Sequence, residues 1–396
     1  MTEVSLMVLP AGHIAEAQPV SRPEGDPPAT VTFYMFRHGS WHEVSSPTLP
    51  LVGLERLRDA LEELLKTVMQ RITARQPGGA LVLLQAKSQE WWNTLVPDII
   101  KQALTKADEE AKAAGTVPRL LVNAHQWLEW LPWELLHDGD DYLGLKFQVA
   151  RLPIVANGSA PTDAKFVTRA VNLLGTQILS EVEGEAYHSW ASTFDPFQPL
   201  GVAGRRLPPG NLDGGWPTLD DLVAQKDADI IHITAHGDVD ENGRQYLALD
   251  LDDRFTSSID DSIAALLAFP SPGPLVFCNA CGSVAAGDGK GVGPLVTRGL
   301  GVSFFDRGAA AYIGSLAPLG TEAAIRFAAT FYRFLLQDQL CVGEALRQAK
   351  LAEHGKQDPS YLFYCLYGLP GTKFVPAPTV AIAEQPPPVV APADGG

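Results

Sequence analysis

The sequence predicts an α/β protein with a mostly parallel central sheet. Short apolar runs alternate with segments in which apolar residues recur every three or four positions, as strands alternate with amphipathic helices. The runs are continuously apolar, which suits strands that helices cover on both faces. With 396 residues the chain is long enough to bury a sizeable core and to form two or three domains.

Both ends of the chain are expected to stay outside the core. Residues 1–30 mix prolines with small and charged residues and show no sustained period, which predicts a mobile segment with at most one short strand, over residues 4–9. Residues 373–396 are rich in proline and predict a disordered, extended tail.

Residues 31–115 are predicted to form an α/β region, which either completes the main fold as a pseudo-symmetric half or serves as a docking module. Apolar residues recur at spacings of three and four from Leu54 to Ile72, which indicates a helix with one apolar face. The expected elements are a strand at 31–36, this helix, a strand at 80–84 and a helix at 91–113.

Residues 116–372 are predicted to form the main domain. Its apolar runs are expected to be buried strands at 120–124, 148–152, 170–174, 230–235, 275–280 and 309–313. Two helices, 322–336 and 342–354, and a last apolar run at 361–367 complete it.

Composition and charge exclude several classes of function. Forty-six acidic against thirty basic residues give a net charge of −16, which disfavours nucleic acid and anionic membrane surfaces as direct partners. The best candidate for a membrane span, residues 299–319, is broken by Asp306 and Arg307. The four cysteines are too few for a disulfide scaffold and follow no secretory signal, so we expect a cytoplasmic protein.

Two of the predicted strands end alike, with a reactive side chain followed by glycine. The run 230–235 leads to His236, and the run 275–280 leads to Cys281. If these strands are parallel neighbours, the two side chains meet at the carboxyl edge of the sheet. The histidine could then favour the reactive thiolate or protonate a leaving amine. In the alternative interpretation, Cys281 is a small buried hydrophobe and His236 a hydrogen-bonded residue at a strand end.

Other chemistries fit these residues less well. Cys278 and Cys281 form a C-x-x-C pair, but on a strand they point to opposite faces and lie about 10 Å apart. His232 and His236 are about 13 Å apart on a strand, too far to share a metal ion. The glycine-rich segment 282–293 lacks the Gly-Lys-Ser/Thr ending of a phosphate-binding loop and predicts a flexible loop beside the thiol.

A phosphatase is one alternative function. Arg37, His38 and Gly39 resemble the Arg-His-Gly motif of histidine phosphatases. Such a site also needs a second histidine, for which His236 is the candidate, and a second arginine motif that we do not find. The acidic balance also disfavours phosphate binding.

Several segments together resemble the CHAT domain, a branch of the caspase-like cysteine peptidases related to separase. Besides the His-Gly and Asn-Ala-Cys motifs, they are residues 128–136, with the Leu-Pro-Trp-Glu-Leu signature, and residues 228–232, 308–315 and 343–349. The resemblance covers residues 116–370 and implies a caspase-like, three-layer α/β/α sandwich with a mostly parallel central sheet.

The resemblance implies a cysteine endopeptidase that works through an acyl-enzyme, without a metal or organic cofactor. His236 and Cys281 are then the catalytic dyad, and the backbone amides of Gly237 and Cys281 hold the oxyanion. A regulated protease of this kind acts on a protein substrate and has a sensor or activator protein as partner, in a bacterial stress, cell-death or anti-phage pathway. The alternative is a catalytically inactive scaffold with a misaligned dyad.

The resemblance also bears on specificity. In arginine- and lysine-cleaving relatives, an aspartate stands two residues before the cysteine, where this chain has Asn279. We therefore expect that a basic P1 residue is not required. Asp250, Asp252 and Asp253 are further candidates for the substrate pocket and could restore its acidity.

Overall fold

The structure is a computed structural model, and it describes fourteen stretches of the chain. They are residues 2–10, 30–37, 40–74, 76–124, 131–152, 165–168, 170–174, 204–206, 227–239, 245–248, 254–256, 268–280, 300–356 and 358–376.

These stretches contain the following strands. They are β1 Glu3–Pro10, β2 Thr30–Arg37, β3 Ser40–Pro50, β4 Arg119–Ala124, β5 Gln148–Arg151, β6 Lys165–Val167, β7 Ala170–Leu174, β8 Gly204–Arg206, β9 Ile230–Thr234, β10 His236–Val239, β11 Gln245–Ala248, β12 Arg254–Thr256, β13 Leu275–Asn279, β14 Ala311–Ser315, β15 Tyr364–Gly368 and β16 Phe374–Pro376. The predicted strands of the main domain match β4, β5, β7, β9, β13 and β14 to within two residues.

Eleven of the described strands form one mixed sheet, in the order β3-β2-β1-β4-β5-β15-β14-β13-β9-β7-β8. Its antiparallel pairs are β2–β3, β1–β2 and β14–β15, and its other neighbours are parallel. The prediction of a mostly parallel sheet is confirmed. A small antiparallel sheet joins β10, β11 and β12, and β6 pairs with β16.

The described helices are α1 Leu51–Thr73, α2 Pro77–Leu95, α3 Asp98–Ala113, α4 Leu143–Lys146, α5 Leu300–Asp306, α6 Thr321–Tyr332 and α7 Val342–Glu353. A π-helical turn, Arg333–Gln337, follows α6, and 3₁₀ turns cover Trp133–Leu135 and Pro359–Phe363. None of the described helices combines the length and the apolar character that crossing a bilayer requires.

Helices cover both faces of the sheet around β13 and β14. Phe277 of β13 packs against Phe331 of α6, with ring centroids 5.1 Å apart. Phe277 pairs with Ile313, so the adjacent Tyr312 points to the opposite face. There it stacks on Phe304 of α5, with centroids 5.4 Å apart. The predicted three-layer α/β/α sandwich is confirmed.

The two chain ends contradict the expectation that neither joins the core. β1 lies inside the sheet, antiparallel to β2 and parallel to β4, and buries Val4, Leu6 and Val8. The short strand predicted over residues 4–9 is present as Glu3–Pro10, and its period of two gives it one apolar face that joins the core. At the other end, Phe374 of β16 is fully buried within the segment predicted to be a tail.

The predicted strand at 80–84 is wrong, because these residues belong to α2. The buried positions of α2 are Ala80, Leu84, Ser88, Trp91 and Trp92, at helical spacing. Helical periodicity over nineteen residues therefore outweighs the short apolar run. The helix predicted at 91–113 is in fact two helices, α2 and α3, separated at Val96 and Pro97.

The fold also contradicts the phosphatase hypothesis. Arg37 pairs with Ser40 at the turn between β2 and β3, and His38 and Gly39 lie outside the described residues. β2 and β9 are separated by seven strand spacings in the sheet. At about 4.8 Å per spacing this is about 34 Å. Arg37 and His236, which follows β9, therefore cannot enclose one phosphate.

Candidate active site

The two strands that lead to His236 and Cys281 are parallel neighbours. Register pairs run from Ile230 beside Leu275 to Thr234 beside Asn279. The amide of Ala235 then donates to the carbonyl of Asn279, at 3.3 Å. The sequence predicts that His236 and Cys281 meet at one edge of the sheet if these strands are parallel neighbours. The structure shows that they are.

The backbone changes sheets at His236. His236 is the first residue of β10, where it pairs with Ala248, and Gly237 pairs with Leu247. The histidine thus lies at the junction between the end of β9 and the small antiparallel sheet. Its side chain lies outside the described parts of the structure.

Other predicted site residues fall outside the described ranges. These are Cys281, the glycine-rich segment 282–293, and Asp250, Asp252 and Asp253. The contact between His236 and Cys281, the oxyanion donors and the acidic pocket therefore stay predictions.

Asn279 is the described member of the predicted substrate pocket. Its side chain is buried, and its amide nitrogen donates to the carbonyl of Ala324 in α6, at 3.3 Å. Its amide oxygen accepts a hydrogen bond of 2.7 Å from the hydroxyl of Tyr364. Both ends of the side chain thus have partners within the protein.

A second buried polar residue, His232, lies on β9, the strand that precedes His236. Its Nδ1 is 3.0 Å from the hydroxyl of Tyr332 in α6, and its Nε2 is 3.1 Å from Oγ1 of Thr234. Burial lowers the pKa of His232 to about 3, so the ring is neutral at pH 7. A neutral imidazole suits these partners, because each hydroxyl can either donate or accept.

The described cysteines differ sharply in environment. Cys278 and Cys365 are buried, and Cys341 is half-buried, with its Sγ 3.8 Å from Oε1 of Gln148. Burial raises the pKa of Cys365 well above its ordinary value, which makes its thiolate scarce. No group of three or more His, Cys, Asp and Glu side chains within the described ranges could hold a metal ion.

A buried ion pair lies in the Leu-Pro-Trp-Glu-Leu signature. Glu134, 1% exposed, receives two hydrogen bonds from Arg151, 4% exposed, one of them 2.9 Å long. Arg151 also donates to the carbonyl of Leu131, and the fully buried Lys350 of α7 acts electrostatically on Glu134. This ion pair and the partners of His232 were not predicted from the sequence. A lone glutamate in an apolar segment was the available signal.

The model of the CHAT domain family matches residues 85–367. No curated protein matches the chain significantly.

Solved structures with a similar course of the chain include separase in two crystal structures of the Saccharomyces cerevisiae separase–securin complex. These alignments have 13% identity and TM-scores of 0.44 and 0.46, and they cover 67% and 70% of this chain but 16% and 18% of the matched chain. Gingipain R, an Arg-specific cysteine proteinase, aligns with 12% identity and a TM-score of 0.43, over 73% of this chain and 74% of its own.

Proposed function

The chain belongs to the CHAT domain family, and from this membership we propose that it is a cysteine endopeptidase that cleaves a protein substrate. The observation that carries the proposal is the register of β9 and β13. Thr234 of β9 pairs with Asn279 of β13. In each case the reactive residue, His236 or Cys281, comes two positions later in the sequence. Parallel strands with this register end at the same edge of the sheet, where ligands and catalytic groups collect.

The proposed reaction has two steps. The thiolate of Cys281 attacks the carbonyl carbon of the scissile peptide, and the amides of Gly237 and Cys281 stabilise the resulting oxyanion. His236 protonates the leaving amine, which leaves an acyl-enzyme. Water activated by His236 then attacks the thioester, releasing the carboxylate product and the thiol.

We further propose that cleavage does not require a basic P1 residue. Asn279 has no charge, and its amide is engaged by Ala324 and Tyr364. Asp250, Asp252 and Asp253 are the candidates that could restore acidity to the pocket.

The biological setting of the proposal is regulated proteolysis in the bacterial cytoplasm. The partners are the protein substrate and a sensor or activator protein, in stress, cell-death or anti-phage responses. Residues 116–372 carry the activity, and residues 31–115 complete the domain or dock the activator.

One experiment tests the chemistry and the specificity together. The protein is incubated with fluorogenic peptides of varied P1 residue and with a thiol-reactive activity probe, with and without candidate activators. We expect cleavage that Cys281→Ala abolishes and that His236→Ala lowers by about 10²- to 10⁴-fold. Cys341→Ala, which removes a half-buried thiol elsewhere, is the matched control and should retain activity.

Two results would contradict the proposal. Absence of Cys281-dependent cleavage and labelling under every activating condition would favour the inactive scaffold. Strict dependence on Arg or Lys at P1 would refute the proposed specificity while leaving the peptidase chemistry intact.

A further inference from the structure

A buried polar layer lies directly beneath the edge at which β9 and β13 end. Thr234 and Asn279 pair across the two strands, and they are 9% and 5% exposed. Tyr364 of β15 is fully buried, yet its hydroxyl reaches Asn279 across the intervening strand β14. Since apolar side chains would fill this layer without desolvation cost, polar ones in it call for a specific role.

Side chains in this layer connect the end of β13 to two other elements. The register between β13 and β14 runs from Leu275 to Phe277, two residues before the strand ends at Asn279. At Asn279, the side chain instead binds the Ala324 carbonyl of α6 and the Tyr364 hydroxyl of β15. Hydrogen bonds are directional, so the two bonds fix the orientation of the strand end and not only its burial.

The end of β9 has an equivalent connection. Thr234 bonds to His232, which bonds to the Tyr332 hydroxyl of α6, at 3.1 and 3.0 Å. His232 also stacks on Phe277 of β13, with ring centroids 5.3 Å apart. The strand before His236 and the strand before Cys281 are thus both held to the same helix by polar side chains.

We propose that Asn279, through its bonds to Tyr364 and Ala324, is a positioning residue that sets the place of Cys281 relative to His236. The inference deepens the proposed peptidase function and rests on it. It gives Asn279 a role in orienting the end of β13, beyond the role in the substrate pocket that the sequence suggests. In this proposal Tyr364 acts through its hydrogen bond to Asn279.

Tyr364→Phe is the variant that tests the proposal. It removes one hydroxyl and keeps the ring that stacks on Phe327, with centroids 4.1 Å apart. The matched control is Tyr312→Phe, which removes a hydroxyl from another fully buried tyrosine of the same sheet, on the face covered by α5. Thermal unfolding of both variants checks that they fold.

Two readouts separate positioning from a merely structural role. The first is the rate of Cys281 alkylation by iodoacetamide as a function of pH, followed by mass spectrometry of the Cys281 peptide. The second is the division of any activity loss between kcat and KM. Misplacement of a reacting group by about 1 Å costs about 100-fold, so we expect Tyr364→Phe to lower kcat by about 10-fold or more with KM nearly unchanged.

We expect the alkylation profile of Tyr364→Phe to shift in pH, and that of Tyr312→Phe to coincide with the wild-type profile. Asn279→Ala should shift the profile in the same direction, and adding Tyr364→Phe to it should change little more, because both act on one connection. Wild-type profiles in the Tyr364→Phe and Asn279→Ala variants, or an equal shift in Tyr312→Phe, would overturn the proposal. Failure of the peptidase proposal would be seen separately, as a lack of Cys281-dependent cleavage by the wild type. In that case the alkylation profiles still test whether Asn279 and Tyr364 position Cys281.

Discussion

His232 shows how one buried residue can make stability depend on pH. It is fully buried, and burial lowers its pKa to about 3. In the unfolded chain the pKa of a histidine is about 6.5. Between these values the unfolded chain binds a proton that the folded protein does not, so stability falls as pH falls from about 6.5 toward 3.

We predict that His232→Gln removes this part of the acid sensitivity. The free energy of unfolding of the wild type should lose up to about 1.4 kcal/mol per pH unit below pH 6 from this group alone. Glutamine retains hydrogen-bonding groups for Tyr332 and Thr234 but does not titrate. Urea denaturation at pH 7, 6 and 5 measures the difference between the two proteins.

The control is His354→Gln, which makes the same substitution at an exposed histidine. An equal stability difference between His232→Gln and wild type at all three pH values would contradict the prediction.

At the scale of elements, the Glu134–Arg151 ion pair connects the 3₁₀ turn Trp133–Leu135 to β5. Burial pushes the pKa of Glu134 up, but the charge and hydrogen bonds of Arg151 outweigh this and hold the pKa below its ordinary value. A buried ion pair adds little stability compared with an apolar pair of the same shape. Loss of one partner, however, leaves the other charge buried without its counter-charge. The ion pair therefore ties the signature segment to β5, and removal of either charge is expected to be costly.

Arg151→Met should lower the free energy of unfolding by about 3–5 kcal/mol at pH 7. The loss relative to wild type should begin to shrink above pH 4.5, because burial without Arg151 raises the pKa of Glu134 and it becomes protonated there. Below pH 4.5 the loss should shrink further, because the wild type then loses the stability that its lowered pKa supplied. Chemical denaturation as a function of pH measures this.

The double variant Glu134→Gln/Arg151→Met is the matched control, since it removes both charges. It should recover a large part of the stability that Arg151→Met loses. If Arg151→Met alone costs less than about 1 kcal/mol, the pair does not hold the segment.

At the scale of the whole molecule, β1 joins the N-terminal hairpin to the rest of the sheet. It lies between β2 and β4, and Leu6 pairs with Met35 on one side and with Val122 on the other. Leu6 is fully buried, whereas the side chain of the next residue, Met7, is only partly buried. Strand alternation thus directs Leu6 into the core.

We predict that Leu6→Ala lowers the free energy of unfolding by about 2–5 kcal/mol, the cost of a cavity in a packed core. Met7→Ala, at the adjacent position on the opposite face, should cost clearly less. Urea unfolding followed by both tryptophan fluorescence and circular dichroism makes the measurement. A smaller effect of Leu6→Ala than of Met7→Ala would show that the N-terminal strand is not part of the core.

Most elements of the main domain could be predicted from the sequence, because their signals are local. Continuous apolar runs marked β4, β9 and β13, and helical spacing marked α6 and α7. Local signals failed where two periods competed, as in residues 80–84, and they predicted the strand β1 but not its place in the core. In residues 80–84 the helical period of the longer segment decided the outcome, and in β1 pairing with β2 and β4 did.

By itself, the sequence determined the α/β class, the strand endings at His236 and Cys281, and the family resemblance. Only the tertiary structure decided that β9 and β13 are neighbours in parallel register, and that Arg37 lies far from His236. It also decided that Asn279, Tyr364 and Ala324 form one buried connection, and that Glu134 pairs with Arg151. Periodicity specifies which face of an element is apolar, but contacts between residues distant in sequence depend on strand order and register, which no local pattern encodes.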